Sequence, residues 1–169
     1  MEKNNIYLIG MMGSGKSTIG ALLSKKMNID YMDMDNELEK LMDMSLPMIF
    51  SEYGEERFRM IESAFFREIS KVGQLIYATG GGIVLHDLNK KIIKETGVAV
   101  FLDCSIDKLI DRIKHDKKNR PLVADNIKEK IRTIYNERYE LYEECSKYTI
   151  DTTDMNTDQV IQEIMECIN

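Results

Sequence analysis

Apolar residues along the chain follow two alternating patterns. Short solid runs at 6–9, 29–32, 75–78, 98–102 and 148–150 predict strands, the first of them buried. Between the runs, apolar positions recur every three or four residues, the period of an amphipathic helix. Ile19, Leu22, Leu23 and Met27 form one such stripe, and residues 36–42 a short helix. A long helical region at 47–72 is broken near Gly54, with its clearest stripe at Phe58, Ile61, Phe65 and Ile69. Helices follow at 87–95, from the N-cap Ser105 to Ile113, and at 127–144, and polar residues 114–120 make a loop. The last helix shows Val160, Ile161, Ile164 and Ile168 on one face. Strand-helix alternation from end to end predicts an α/β fold, a parallel five-stranded sheet with helices on both faces. Ligands of such sheets bind at the C-terminal ends of the strands.

The turn after the first strand reads Gly10-Met11-Met12-Gly13-Ser14-Gly15-Lys16-Ser17. It satisfies every fixed position of the phosphate-loop pattern, and it joins a predicted strand to a predicted helix, as that pattern requires. Glycines let the backbone curl round a polyphosphate with N–H groups turned inward, and the helix N-terminus adds partial positive charge. Lys16 is expected to reach the terminal phosphates, and the Ser17 hydroxyl to ligate magnesium.

Two further signals fall after the next two strands, hence on the same sheet edge. Asp33 and Asp35 stand two apart. If strand geometry persists they share a face, one reaching the magnesium shell and the other a substrate hydroxyl. The competing reading is an acidic turn with Asp35 capping the next helix. Gly80, Gly81 and Gly82 follow the strand at 75–78 and permit close approach of a ligand to the backbone, unless they form a plain flexible loop.

Three arginines stand out. Arg138 occupies a stripe position among Ile127, Ile131, Ile134 and Leu141, and an arginine aimed inward needs an anionic partner. Arg59 can grip a carboxylate with two parallel hydrogen bonds, or simply pair with Glu62 or Glu55 at the surface. Arg120, in a basic loop between two helices, is placed to close over a transferring phosphate.

Composition narrows the classes. A length of 169 residues suits a single domain, 1–169. No apolar stretch approaches the roughly 18 residues of a membrane span, and the N-terminus runs straight into the first strand, which predicts a cytoplasmic protein. The formal net charge of −6 argues against a nucleic-acid surface. The three cysteines, Cys104, Cys145 and Cys167, are spaced for neither disulfides nor zinc and read as small hydrophobes; the two histidines carry no metal-ligand spacing. With no apolar patch evident, a monomer is the expectation.

These residues together resemble the shikimate kinase family over nearly the whole chain. The resemblance rests on Gly-Met-Met-Gly-Ser-Gly-Lys-Ser-Thr at 10–18, Asp33-x-Asp35, Phe58-Arg59-x-Ile61-Glu62, Gly80-Gly81-Gly82, Arg120-Pro121-Leu122, and Arg138 ahead of Leu141-Tyr142. It implies a phosphate-loop kinase fold with a mobile lid at about 114–124 and a substrate-binding helical region at about 34–62. It also implies transfer of the ATP γ-phosphate to the 3-hydroxyl of shikimate in aromatic amino-acid biosynthesis, with Mg2+ as cofactor. Gly13, Ser14, Gly15, Lys16, Ser17, Thr18, Arg112 and Arg120 then hold the nucleotide, Arg112 packing on adenine. Ser17 and Asp33 hold the metal. Asp35, Phe50, Phe58, Arg59, Gly80, Gly81, Gly82 and Arg138 hold the acceptor, with Lys16, Asp35 and Arg120 as the catalytic set.

One segment departs from the family pattern: Asp151-Thr152-Thr153-Asp154-Met155-Asn156 stands where some relatives place an arginine and a proline near adenine. Two alternatives remain open. One is a related small-molecule kinase acting on gluconate or a nucleoside monophosphate. The other is a nucleotide-binding regulator without catalysis, whose mark would be loss of the acidic or lid residues.

Overall fold

The computed structural model describes residues 4–115 and 126–168. Strand β1 (Asn5–Ile9) is buried along its whole length because it lies at the centre of the sheet. Strand β3 (Leu75–Ala78) pairs on one side of it, Ile6 opposite Ile76, and β4 (Gly97–Asp103) on the other, Ile6 opposite Val98. The edges are β2 (Asp30–Asp33), paired with β3, and β5 (Tyr148–Asp151), paired with β4. All four pairings are parallel and the order is β2-β3-β1-β4-β5, the predicted five-stranded sheet.

Successive side chains of a strand point to opposite faces, so each central strand feeds two apolar layers. On one face Tyr7, Ile9, Tyr77, Ala99 and Phe101 pack with residues of α3 (Leu46–Ile69), α4 (Asp87–Thr96), α5 (Ile106–His115) and α6 (Ile127–Cys145). On the other, Ile6, Leu8, Ile76, Val100 and Leu102 pack with α1 (Lys16–Met27) and α7 (Thr157–Ile168). A third cluster, Leu38, Ile49 and Phe58, joins α2 (Met34–Met42) to α3. Cys104 and Cys145 are buried and Cys167 half-buried. No helix among the described residues is long and apolar enough to cross a membrane.

Three local expectations are corrected. Leu22 is exposed: the buried face of α1 runs through Lys16, Ile19, Gly20 and Leu23, one position away from it. The helix after β2 begins at Met34 rather than at 36, because the Asp33 carboxylate accepts the Asn36 N–H at 3.1 Å and caps it. Asp33, not Asp35, is therefore the cap. Helix α5 runs on to His115, so residues 114 and 115 are helical rather than loop. The rest of the expected lid, with Arg120, lies outside the described residues.

The predicted break at Gly54 is present. Its φ of 75° and ψ of 168° fall outside helical space, in a region that only glycine occupies readily. The kink divides α3 into a segment carrying Phe50 and one carrying Phe58, Arg59 and Glu62.

Candidate active site

The phosphate loop is shaped by backbone conformations that favour glycine. Gly10, Gly13 and Gly15 have φ of 141°, 79° and 97°, and Gly15 is the left-handed N-cap of α1. Lys16, the first residue of that helix, is buried and folds back over the loop. Its Nζ donates to the carbonyls of Gly10 at 2.9 Å and Met11 at 2.8 Å. Burial pulls the ammonium down to about 8, while Asp35 and Asp33 support its charge.

The loop forms one wall of a cleft of about 520 Å³ at the C-terminal end of the sheet. Gly13, Ser14, Gly15, Lys16, Ser17, Thr18, Asp33, Asp35 and Arg112 all line it, so every expected nucleotide and metal residue that is described meets there. The remaining one, Arg120, falls outside the described residues. The Asp33 carboxylate is oriented by Asn36 N–H and by the Tyr31 hydroxyl, which donates to it at 3.3 Å. Arg112 crosses from α5 and donates to the carbonyls of Gly13 at 3.4 Å and Thr152 at 3.4 Å.

A second wall adjoins the first through the glycine triplet. A Cβ on Gly81 would lie 3.5 Å from Met12 N and 3.6 Å from Gly10 O, so the triplet abuts the phosphate loop. Glycine is needed on either side because side chains press on the backbone. A Cβ on Gly80 would lie 2.6 Å from Glu62 Oε1 and 3.0 Å from Asp35 Oδ1. One on Gly82 would overlap the Arg59 guanidinium.

Arg59 pairs with Glu62 at 2.8 Å and with Glu55 at 3.4 Å, and its guanidinium lies 5.0 Å from the Phe58 ring centroid and 5.9 Å from that of Phe50. Phe50 and Phe58 touch each other, ring centroids 4.2 Å apart. Both expected partners of Arg59 are thus present, but Glu62 is buried, not a surface residue. Burial pushes its carboxyl up, against the pull of Arg59. Arg138 Nη1 donates to the Gly81 carbonyl at 3.1 Å. The Nε atoms of Arg59 and Arg138 are both buried without a partner. Two guanidinium groups with unused buried donors, beside one glycine wall, suit a carboxylate.

Asp35 belongs to both walls. It lines the phosphate cleft, sits against Gly80, and faces Lys16 and Glu62. Desolvation pushes its carboxyl up to about 6; Lys16 opposes that shift and Glu62 and Asp33 add to it. That value lies close to the range where a carboxylate exchanges protons readily near neutral pH.

The oxygen donors fit a magnesium ion. Ser17 is exposed at the cleft and Asp33 is half-buried beside it. Mg2+ takes few protein oxygens and completes its shell with substrate phosphates and water. No group of three His, Cys, Asp or Glu side chains among the described residues is placed to hold a metal.

Seven residues lining the cleft were not among the expected site residues: Met12, Ile19, Thr79, Thr152, Met155, Thr157 and Val160. Thr152 and Met155 fall in the segment that departs from the family pattern, which was the available signal.

Known proteins resemble this chain in sequence and in fold. A family model described as shikimate kinase matches residues 12–169. A shikimate kinase of Clostridium botulinum is 41% identical over 167 residues, covering 98% of each chain. One of Enterococcus faecalis is 37% identical over 163 residues, covering 96% of each. A solved structure of the Acinetobacter baumannii shikimate kinase in complex with shikimate superposes with a TM-score of 0.91 at 34% identity, over 98% of this chain and 92% of that one. With the fold, the phosphate loop and near-complete coverage in agreement, the chain belongs to the shikimate kinase family.

Proposed function

We propose that this chain transfers the γ-phosphate of ATP to the 3-hydroxyl of shikimate. The observation that carries the reading is the double membership of Asp35, which lies in the phosphate cleft and against the glycine wall at once. A hydroxyl held against that wall would meet the outer phosphate beside a carboxylate.

Each residue then has a physical task. The phosphate loop and Lys16 hold the nucleotide and neutralise its charge. Ser17 and Asp33 would hold magnesium, which would supply positive charge beside the phosphates. Arg59 and Arg138 fix the acceptor carboxylate, so that its hydroxyl is presented in line with the phosphorus. Phe50 and Phe58 pack beside Arg59 and limit where the acceptor ring can sit. The acceptor oxygen bonds to the γ-phosphorus, the bond to the β-phosphate oxygen breaks, and Asp35 takes the hydroxyl proton. Arg112 borders the nucleotide end of the cleft together with Thr152 and Met155. A role for Arg120 over the transferring phosphate is part of the same reading.

A coupled assay of ADP formation tests it across shikimate, gluconate and CMP. Turnover with shikimate alone is expected. Strong turnover with gluconate or CMP and none with shikimate would reject the reading, and no ATP consumption with any acceptor would favour a regulator.

A further inference from the structure

The Gly81 carbonyl accepts hydrogen bonds from two side chains of one helix. Arg138 Nη1 donates to it at 3.1 Å, and the Tyr142 hydroxyl donates to it as well. The two residues are four apart on α6 and so share a face. A carbonyl oxygen has two lone pairs and can hold both donors.

The donors differ in freedom. Tyr142 is fully buried, and its ring stacks on Phe101 with centroids 4.9 Å apart and planes 26° apart. Its hydroxyl also lies 3.8 Å from Met11 Sδ, on the phosphate loop. Burial pushes that hydroxyl up to about 12, so it remains a donor across the neutral range. Arg138 is only half-buried and has Nε unpaired. A guanidinium that turned its Nη1 to a carboxylate would take from the Gly81 carbonyl one of its two donors.

We propose that Tyr142 is a positioning residue for acceptor binding, keeping the Gly81 carbonyl hydrogen-bonded when Arg138 leaves it for the acceptor carboxylate. The proposal rests on the reading of Arg138 given above. Without the hydroxyl, freeing Arg138 would strand a carbonyl in the cleft wall, and that penalty is charged to binding. The same bond keeps Gly81 seated against the phosphate loop through Met11.

The test measures affinity for shikimate and for its methyl ester by calorimetry in the parent protein, Tyr142→Phe, Arg138→Ala and the double variant. Tyr142→Phe is expected to weaken shikimate roughly tenfold, about 1.4 kcal/mol, the size of one hydrogen bond. The ester should lose far less, and KM for shikimate should move more than kcat. In the Arg138→Ala background the same change should add nothing, because the second residue acts through the first. Equal losses for both ligands, or additive losses in the double variant, overturn the proposal. Should the parent protein bind the ester as tightly as shikimate, the carboxylate role of Arg138 fails, and this proposal fails with it. A second measurement needs no variant: the carbon-13 shift of the Gly81 carbonyl should move when shikimate binds. A shift that stays put means Arg138 never leaves, which also overturns the proposal.

Discussion

Asp35 and Glu62 both close on Gly80, each with a carboxylate oxygen within 3.0 Å of where a Cβ would stand. Two acidic groups with raised pKa thus share one small space, with Lys16 and Arg59 as the nearby cations. That arrangement has a cost which pH can reveal.

The Asp35 carboxyl sits at about 6 in the fold against 3.8 for the ordinary group. Between those values the folded protein keeps a proton that the unfolded chain has released. Stability therefore falls as pH rises through this window, and the deficit is complete above about 6. Asp35→Asn should stabilise the metal-free, ligand-free protein at neutral pH by on the order of 1–2 kcal/mol, less than the full shift because Lys16 loses a supporting charge. The gain should shrink as pH drops below that point, and turnover should fall roughly a hundredfold. Denaturation with a chelator present, across pH, checks the first part; a variant no more stable than the parent at neutral pH contradicts it.

Gly82→Ala should displace the Arg59 guanidinium, which occupies the space of the new methyl. KM for shikimate is expected to rise tenfold or more, roughly, since the acceptor loses a fixed cation. Nucleotide affinity should hold, because Gly82 does not line the phosphate cleft. Steady-state kinetics with a separate nucleotide titration distinguishes these, and an unmoved KM refutes the placement of Arg59.

Removing the other guanidinium should cost more. Arg138→Ala is expected to weaken shikimate binding by about 2–5 kcal/mol, with the protein still folded. Unchanged affinity in calorimetry would contradict the assigned role.

Gly54→Ala probes the acceptor region from a distance. The new methyl would find nothing within 4 Å, yet the backbone there has φ 75° and ψ 168°. A loss of about 1–3 kcal/mol in denaturant unfolding is expected from strain alone. A variant as stable as the parent would show that the kink relaxes without penalty.

Much of this was legible in the chain itself, for reasons that differ by residue. The solid apolar run of β1 and the spaced glycines of the phosphate loop are local patterns, and local patterns survive folding. Leu22 was misplaced because a stripe of three or four residues leaves the helix face uncertain by one position. The Asp33/Asp35 pair was half read: alternation along a strand puts them on one face, but Asp33 ends the strand by capping α2, and only the shared cleft brings both carboxylates together. A surface pairing of Arg59 with Glu62 was one of two readings, since charge near a helix is usually exposed; the burial of Glu62 depends on the glycine wall, which lies elsewhere in the chain. Tyr142 entered the sequence reading only as the residue after Leu141; its ring is core, and the function proposed for it lives in one oxygen atom.

Lys16 carries a final consequence. Its ammonium has three N–H bonds, and two are already committed to the Gly10 and Met11 carbonyls. One donor is left for an arriving nucleotide. The curvature of the loop is thus braced from within before any ligand enters, so docking resembles filling a rigid mould rather than wrapping a rope. A backbone already in place lowers the ordering cost of binding, which favours affinity.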